Sequence, residues 1–109
     1  MRICVVLFLL ISSISTASAA SISYYGGRDG LCGNKTASGQ IFNCNAMTCA
    51  HRTLKFGTRV KITVGKRSAI CTVNDRGPFV AGRVLDVSPA VKRKLNMGDT
   101  AEARIEVLK

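Results

Sequence analysis

The alternation of hydrophobic and polar residues along this chain is typical of short strands. From Arg59 to Val64 the apolar residues occupy every second position, which predicts a strand with one buried face. Gly65-Lys66 suits a tight hairpin turn, and residues 68–74 supply the returning strand. Three further strands are predicted at residues 22–25, 83–87 and 101–107.

The first twenty or so residues carry a different pattern. A basic residue is followed by an apolar run over residues 3–14 and then by small residues up to Ala19. These three parts are typical of a secretory signal peptide, predicted over residues 1–19 with cleavage after Ala19 or Ala20. The run is short for a bilayer span, and no leucine-rich lipidation box precedes Cys4. We therefore expect a periplasmic or secreted protein without a stable membrane anchor.

Residues 20–109 are expected to form one small domain. Ser88-Pro89 is typical of a helix cap followed by proline at the first helical position, and the helix is predicted to end near Gly98. Glycines before about Thr48 predict a long irregular loop. Five or six strands and one helix in about ninety residues predict a mainly β fold, a small closed barrel. This length excludes a two-domain enzyme and a multi-span membrane protein.

The cysteines indicate disulfides. Four remain after the signal peptide, an even number in a chain bound for an oxidising compartment: Cys32, Cys44, Cys49 and Cys71. Two disulfides are therefore predicted. A zinc site is the rival, but the cysteines include no CxxC pair and the chain has a single histidine, so no metal is expected.

Three disulfide pairings are open, and strand parity gives a weak preference among them. Cys49 lies two residues before His51, and Cys71 lies four residues before Asp75. An even spacing places each cysteine on the same strand face as a polar residue that we assign to the site. This parity favours Cys49 with Cys71 and Cys32 with Cys44.

Four polar clusters stand out on the β scaffold. They are Thr36-Ala37-Ser38-Gly39-Gln40, Ala50-His51-Arg52, Phe56-Gly57-Thr58 and Asn74-Asp75-Arg76-Gly77-Pro78-Phe79. Tyr25-Gly26 precedes them, and Gly82-Arg83, Asp86 and Ser88 follow. In this order the set resembles the rare lipoprotein A family over nearly the whole mature chain. Each short motif alone is a weak signal, whereas the ordered set is highly specific.

The resemblance implies both a fold and an activity. The fold is a six-stranded double-psi β-barrel, shared with expansins and barwin proteins. The activity is that of a peptidoglycan lytic transglycosylase without a cofactor, which cleaves the bond between N-acetylmuramic acid and N-acetylglucosamine and leaves a 1,6-anhydro ring. One residue can donate a proton to the leaving oxygen and later accept one from the sugar's own hydroxyl.

The resemblance also implies the residues of the site. Asp75 is the expected acid and base, with His51 and Gln40 as orienting neighbours. The family commonly has a glutamate where this chain has Gln40, and an amide does not usefully exchange a proton at neutral pH. Asp86 is expected to be a structural hydrogen-bond partner. Substrate contacts are expected from Tyr25, Thr36, Ser38, Arg52, Asn74 and Arg76.

Each assignment has a structural alternative. Asp75 could cap the turn ahead of Gly77-Pro78, and Tyr25 could be a core residue instead of a platform for a sugar ring. Gln40 favours a rival function, a non-catalytic module of expansin or barwin type that binds polysaccharide and loosens it. A secreted inhibitor or effector that binds another protein is a third alternative.

The charge of the chain bears on its partners. The chain has 16 Lys and Arg against 6 Asp and Glu, a formal charge of +10, and loss of the signal peptide removes only Arg2. Such a charge attracts anionic polymers, either peptidoglycan or nucleic acid. The signal peptide and the lack of a helix-turn-helix, zinc-finger or aromatic-basic motif argue against nucleic acid. We therefore expect a monomer that acts on peptidoglycan glycan strands.

Overall fold

Six strands close into a barrel within residues 17–26 and 31–109, the part of the chain that this computed structural model describes. The elements are β1 (Ser18–Tyr24), β2 (Thr48–Ala50), β3 (Arg59–Val64), β4 (Arg67–Asp75), β5 (Arg83–Val87), α1 (Pro89–Leu95) and β6 (Thr100–Leu108). Around the barrel the strand order is β1-β5-β2-β4-β3-β6. The predicted six-stranded barrel with one helix is confirmed.

Two of the strand pairs are parallel, and they determine where the functional residues lie. β1 pairs with β5 and β2 pairs with β4 in parallel, whereas the other four pairings are antiparallel. The β2–β4 register sets Ala50 beside Asp75, so both strands end at the same place. Residues that follow β2, including His51, therefore lie next to the end of β4.

The core of the barrel is mainly aliphatic, as the low aromatic content of the chain predicts. Alternate residues of β3 and β4 point inward, and α1 buries Val91 and Leu95 against the barrel. The largest fully buried side chains are Ile22, Val60, Ile62, Val73, Leu85, Val87, Val91 and Leu95. Burial of each such side chain contributes roughly 1.5–3 kcal/mol to folding. This core holds the strands, and through them the site, in register.

Three elements differ from the sequence prediction. β1 begins at Ser18 and not at Ile22, because its first residues pair with β6. β2 is a three-residue strand at the end of the predicted loop, too short to give an alternating pattern. The helix ends at Leu95 and not near Gly98, because Asn96 adopts the left-handed conformation (φ 52°) and its backbone N–H caps the last turn.

The predicted signal peptide lies mostly outside the described residues, as does Cys4. Within β1, Ser18 pairs with Ile105 and Ala19 with Arg104. Cleavage after Ala19 would therefore leave a shortened β1 that still pairs with β5 and β6. The signal peptide stays a prediction. In residues 17–26 and 31–109, none of the helical structure has the length and apolar character that crossing a bilayer requires.

Both of the disulfides favoured by parity are present, and the predicted pairing is confirmed. Cys49–Cys71 joins β2 to β4 inside the core, where the two residues are 0% and 1% exposed. Cys32–Cys44 closes the irregular loop at the surface. Over the described ranges, no group of three or more His, Cys, Asp or Glu residues is arranged to hold a metal ion.

Replacing Cys49 and Cys71 together by alanine is expected to lower the free energy of unfolding by about 3 kcal/mol. The bond spans 22 residues of sequence, so its loss frees the unfolded chain, and the smaller side chains also leave space in the core. Urea unfolding of the oxidised native protein and of the variant measures the difference. A difference below about 1 kcal/mol would contradict a structural role for this bond.

Candidate functional site

The candidate site lies where β2 and β4 end, beneath a loop formed by residues 32–44. We call this segment, from Cys32 to Cys44, the 32–44 loop. It lies over the end of β4, where the Ser38 N–H donates to the Asn74 carbonyl (3.3 Å) and the Ala37 N–H donates to Asp75 Oδ1 (2.9 Å). The loop thus places the residues of one predicted cluster directly beside those of another.

Asp75 is a partly buried carboxylate held in one orientation. Its Oδ1 accepts from the backbone N–H groups of Ala37 and Arg76, both at 2.9 Å. Its Oδ2 accepts from the Tyr25 hydroxyl at 3.3 Å. These donors come from three separate segments of the chain, so the carboxylate does more than cap its own turn.

The hydroxyl groups of the 32–44 loop bond within the loop. Thr36 Oγ1 and Ser38 Oγ lie 2.8 Å apart, and the Thr36 hydroxyl also donates to the Gln40 carbonyl (3.2 Å). Thr36 is only 8% exposed. The structure therefore gives these hydroxyls a role in shaping the loop, and their expected contact with a sugar stays a prediction.

Gln40 and Asn74 form a side-chain pair at the edge of the site. Asn74 Nδ2 donates to Gln40 Oε1 at 3.2 Å, and Asn74 is 5% exposed. Since Gln40 Oε1 is used in this bond, the amide NH₂ of the exposed Gln40 side chain is the group available to other partners. Gln40 therefore offers hydrogen-bond donors where a glutamate would offer only acceptors.

His51 is fixed as a neutral imidazole by the turn that follows it. Its Nδ1 accepts from the backbone N–H groups of Thr53 and Leu54, both at 3.1 Å. Two donors aimed at Nδ1 leave Nε2 as the nitrogen that carries the proton. Burial lowers the pKa of His51 below its usual 6.5, and the positive charges of Arg52 and Arg76 lower it further.

Protonation of His51 is therefore expected to occur only below pH 6.5 in the folded protein. The unfolded chain takes up this proton near pH 6.5, so the folded state loses stability as the pH falls from there through the lowered pKa, and gains none above it. Nitrogen-15 NMR of the imidazole across pH 4–8 measures both the titration and the tautomer. A midpoint at or above 6.5, or a proton on Nδ1, would contradict this assignment.

Two arginines, Arg52 and Arg76, hold the loops around the site through hydrogen bonds to backbone carbonyls. Arg52 donates from Nε to the Pro78 carbonyl (2.7 Å) and from one terminal nitrogen to the carbonyls of Val80 (3.3 Å) and Arg83 (2.5 Å). Its guanidinium thus fixes the loop that follows β4. The sequence predicts that Arg52 contacts substrate, and that role stays a prediction. The observed role of Arg52 is to hold the loop after β4.

Arg76 holds a different segment, the turn that follows His51. It donates from one terminal nitrogen to the carbonyls of His51 (3.1 Å) and Leu54 (2.7 Å), and its guanidinium lies 4.0 Å from the centre of the Phe56 ring. These contacts hold the turn that orients the His51 ring. Arg76 therefore acts on the site at least through His51, and direct contact with substrate stays a prediction.

Tyr25 lies between the carboxylate and an aromatic partner. Its ring stacks on Phe42 with centroids 4.6 Å apart and an interplanar angle of 10°, and its hydroxyl reaches Asp75. Gly26 follows with φ +93°, and a Cβ there would lie 2.4 Å from the Phe42 ring. Glycine is thus required at this position, because Phe42 packs against its backbone.

The structure brings together most of the side chains predicted from the sequence. Asp75 contacts Tyr25, Gln40 contacts Asn74, and His51 lies in the segment beside the end of β4. Sequence reasoning missed two contributors, the backbone N–H of Ala37 and the Phe42 ring. Asp86 accepts from the Ser23 hydroxyl and so links β5 to β1, which agrees with the structural role expected for it.

A cavity of about 330 Å³ lies away from this site, beside the β3–β4 hairpin. It is lined by Ala19, Thr63, Gly65, Glu102, Ala103 and Arg104. None of the candidate residues contributes to it. Asp75 is partly buried and lies at the other end of β4.

Comparison with known proteins shows the family to which the chain is related. A family model described as lytic transglycolase matches residues 17–107. The chain is 48% identical over 101 residues to the probable endolytic peptidoglycan transglycosylase RlpA of Nostoc sp., covering 89% of this chain and 27% of that protein. It is 48% identical over 92 residues to the endolytic peptidoglycan transglycosylase RlpA of Rickettsia typhi, covering 79% and 28%. The chain thus spans little more than a quarter of the length of these relatives.

A solved structure supports the fold. The Streptomyces papain inhibitor (SPI) superposes with a TM-score of 0.68 at 15% identity, covering 89% of this chain and 98% of that chain. At this identity the likeness concerns the fold alone. The expected double-psi β-barrel is confirmed, and with the family model matched along residues 17–107, the chain belongs to the RlpA-like lytic transglycosylase family.

Proposed function

We propose that this chain is an endolytic peptidoglycan lytic transglycosylase whose acid and base is Asp75. The observation that carries the proposal is the carboxylate itself, held by three donors from separate segments where β2 and β4 end. A carboxyl group oriented in this way suits proton transfer to and from one sugar linkage. The names of the relatives, endolytic peptidoglycan transglycosylases, support the substrate and the reaction.

In the first step, protonated Asp75 donates its proton to the glycosidic oxygen between N-acetylmuramic acid and N-acetylglucosamine. The bond from this oxygen to C1 of the muramic acid breaks, and the glucosamine leaves as an alcohol. In the second step, the carboxylate takes the proton from the C6 hydroxyl of the muramic acid while that oxygen bonds to C1. The 1,6-anhydro ring closes, no water is consumed, and Asp75 regains its proton.

Two neighbours are proposed to orient the sugars by donating hydrogen bonds. The Nδ1 of His51 accepts from two backbone N–H groups, and its pKa is lowered by burial and by Arg52 and Arg76, so the neutral ring offers Nε2–H as a donor. Gln40 offers its amide NH₂ because its oxygen is bonded to Asn74. Both groups match the many acceptor oxygens of an N-acetylated glycan.

The proposed location of this activity follows from the net charge and the predicted signal peptide. A net charge of +10 favours association with a wall polymer that carries peptide carboxylates. The predicted signal peptide would deliver the domain to the periplasm or the exterior. We propose that it works there as a monomer.

Mass spectrometry of the products released from purified sacculi and from peptide-stripped glycan strands tests the proposal. The mature chain is expected to release muropeptides or oligosaccharides with 1,6-anhydro-muramic acid ends. Products with reducing ends would instead indicate hydrolysis. Release of no product at all, from a protein shown to be folded and oxidised, would contradict the enzymatic proposal.

Gln40 favours a second candidate function, a non-catalytic module that binds wall polysaccharide and loosens it. The amide pairs with Asn74 and supplies no exchangeable acid. Under this alternative the protein sediments with sacculi and changes their mechanical stiffness, while the mass spectrum shows no new ends. The two candidates therefore differ in product, not in binding.

A further inference from the structure

The orientation of Asp75 depends on the 32–44 loop. Among the donors that the structure assigns to this carboxylate, Ala37 belongs to the loop itself. The Tyr25 hydroxyl lies outside the loop, but the Tyr25 ring rests on Phe42, which is a loop residue. Only the Arg76 N–H comes from the chain next to Asp75. Two of these three donors are therefore held in place by one loop.

Phe42 transmits the position of the loop to Tyr25. Its ring is 3% exposed and packs on the backbone of Gly26, the residue after Tyr25. The Cys44 sulfur lies on the same glycine, 3.0 Å from where a Cβ would be. Phe42 and the disulfide thus pack together against the segment that carries Tyr25.

The Cys32–Cys44 bond joins the start of the loop to an end that is anchored on the barrel. The Cys44 carbonyl accepts from the Ala90 N–H of α1 at 3.1 Å, so this cysteine is tied to the barrel. Besides the disulfide, the neck of the loop is closed by backbone hydrogen bonds from Gly33 N to Phe42 O (2.9 Å) and from Phe42 N to Asn34 O (2.7 Å). Gly33 and Asn34 are exposed, so water competes for their backbone groups once the disulfide is open.

We propose that Tyr25, Phe42 and the Cys32–Cys44 disulfide are positioning elements for Asp75, and that reduction of this bond lowers turnover while the barrel stays folded. The inference rests on the proposed function of Asp75. It gives Tyr25 a role different from the sugar contact expected from the sequence, because one face of the ring stacks on Phe42 and the hydroxyl donates to the carboxylate.

The two disulfides differ in their access to a reductant. Cys32 is exposed and Cys44 partly buried, whereas Cys49 and Cys71 are 0% and 1% exposed. A dithiol reductant would transfer two electrons and two protons to Cys32 and Cys44, giving two thiols, and would itself become a disulfide. Residues 32–44, all of which the structure describes, contain no barrel strand, so the closed sheet does not depend on this bond.

The role of Tyr25 is tested by Tyr25→Phe, with Tyr24→Phe as the matched control. Tyr25→Phe keeps the stacked ring and removes only the hydroxyl, so we expect kcat to fall roughly 10-fold with KM unchanged. Tyr24 packs against the core and carries Lys92 over its ring (4.8 Å), and its variant should keep both constants. An unchanged kcat in Tyr25→Phe, or a rise in KM alone, would overturn the positioning role.

The role of the disulfide is tested by mild reduction of the native protein and by Cys32→Ser/Cys44→Ser. We expect faster hydrogen exchange at the Ala37 amide, a changed Phe42 ring environment and a fall in kcat of roughly 10- to 100-fold. Exchange in β3, β4 and β6 should be unchanged. Retained protection of Ala37 with full turnover, or loss of protection throughout the barrel, would overturn the proposal.

Hydrogen exchange separates this inference from the proposed function. If the oxidised protein releases no anhydro-sugar products, the enzymatic proposal fails. The exchange of Ala37 then still reports whether the disulfide positions the loop against Asp75. If products are released equally before and after reduction, the enzymatic proposal stands and the positioning role of the bond is refuted.

Discussion

Asp75→Asn is expected to abolish the release of anhydro-sugar products, with kcat lower by roughly 100- to 10 000-fold. The amide has nearly the same shape as the carboxylate, and its oxygen can still accept from the Ala37 N–H. It cannot give up a proton to the glycosidic oxygen or take one from the C6 hydroxyl. The variant should therefore fold and bind glycan strands while losing the chemistry. Mass spectrometry of digested sacculi measures the loss.

Asp99→Asn is the control for this substitution. Asp99 is an exposed carboxylate between α1 and β6. The control changes the net charge by the same amount as Asp75→Asn but leaves the site intact, so it should retain full activity. If Asp75→Asn released anhydro ends at the native rate, the assignment of Asp75 as acid and base would be wrong.

Gln40→Glu is expected to raise the rate of anhydro-product release by roughly 100-fold. A carboxylate at this position can accept from Asn74 Nδ2 as the present amide oxygen does, so the side chain should keep its place. The substitution gives up the amide donor proposed to orient the sugar and adds a carboxyl group that exchanges protons at the position paired with Asn74. It also restores the residue that the family commonly carries. The expected gain means that proton exchange contributes more to the rate than the lost donor. Initial rates on peptide-stripped glycan strands measure the gain.

Gln40→Met separates the effect of charge from that of the hydrogen bond. Methionine has a similar length, cannot accept strongly from Asn74 and carries no proton to exchange. Its rate should lie at or below that of the native chain. An unchanged rate in Gln40→Glu would mean that the amide is a tolerated orienting group. Products from Gln40→Glu but none from the native chain would favour the binding-module alternative for the natural protein.

Much of the fold could be predicted because it follows from side-chain pattern. The alternation of apolar and polar residues predicted both ends of β3 correctly. The apolar residues of β5 predicted that strand correctly as well. β2 was not predicted, because three residues carry too little pattern to distinguish a strand from a loop. The first residues of β1 were assigned to the signal peptide, because small residues such as Ala19 suit both a cleavage site and an edge pairing.

The candidate site was predictable at the level of residues but not of contacts. The motifs identified Asp75 and His51, yet the Ala37 N–H that holds the carboxylate is backbone and leaves no mark in the sequence. For Arg52 and Arg76 the sequence instead suggests a contact that the structure does not show. A charged residue beside a site suggests an anionic ligand, whereas Arg52 and Arg76 are engaged with carbonyl oxygens of neighbouring loops. Only the three-dimensional arrangement distinguishes these roles.

The pairing of the first strand also has a consequence for biosynthesis. β1 pairs with β5 and β6, the last two strands to be made, and β6 also pairs with β3. Until β6 is available, β1 and β3 expose unpaired backbone edges, which are templates for aggregation. Such long-range pairing slows folding and favours completion of the chain before the barrel closes. If the predicted signal peptide directs export, a late closure of this kind keeps the polypeptide extended for passage through a narrow channel, and the unpaired edges need protection during that interval.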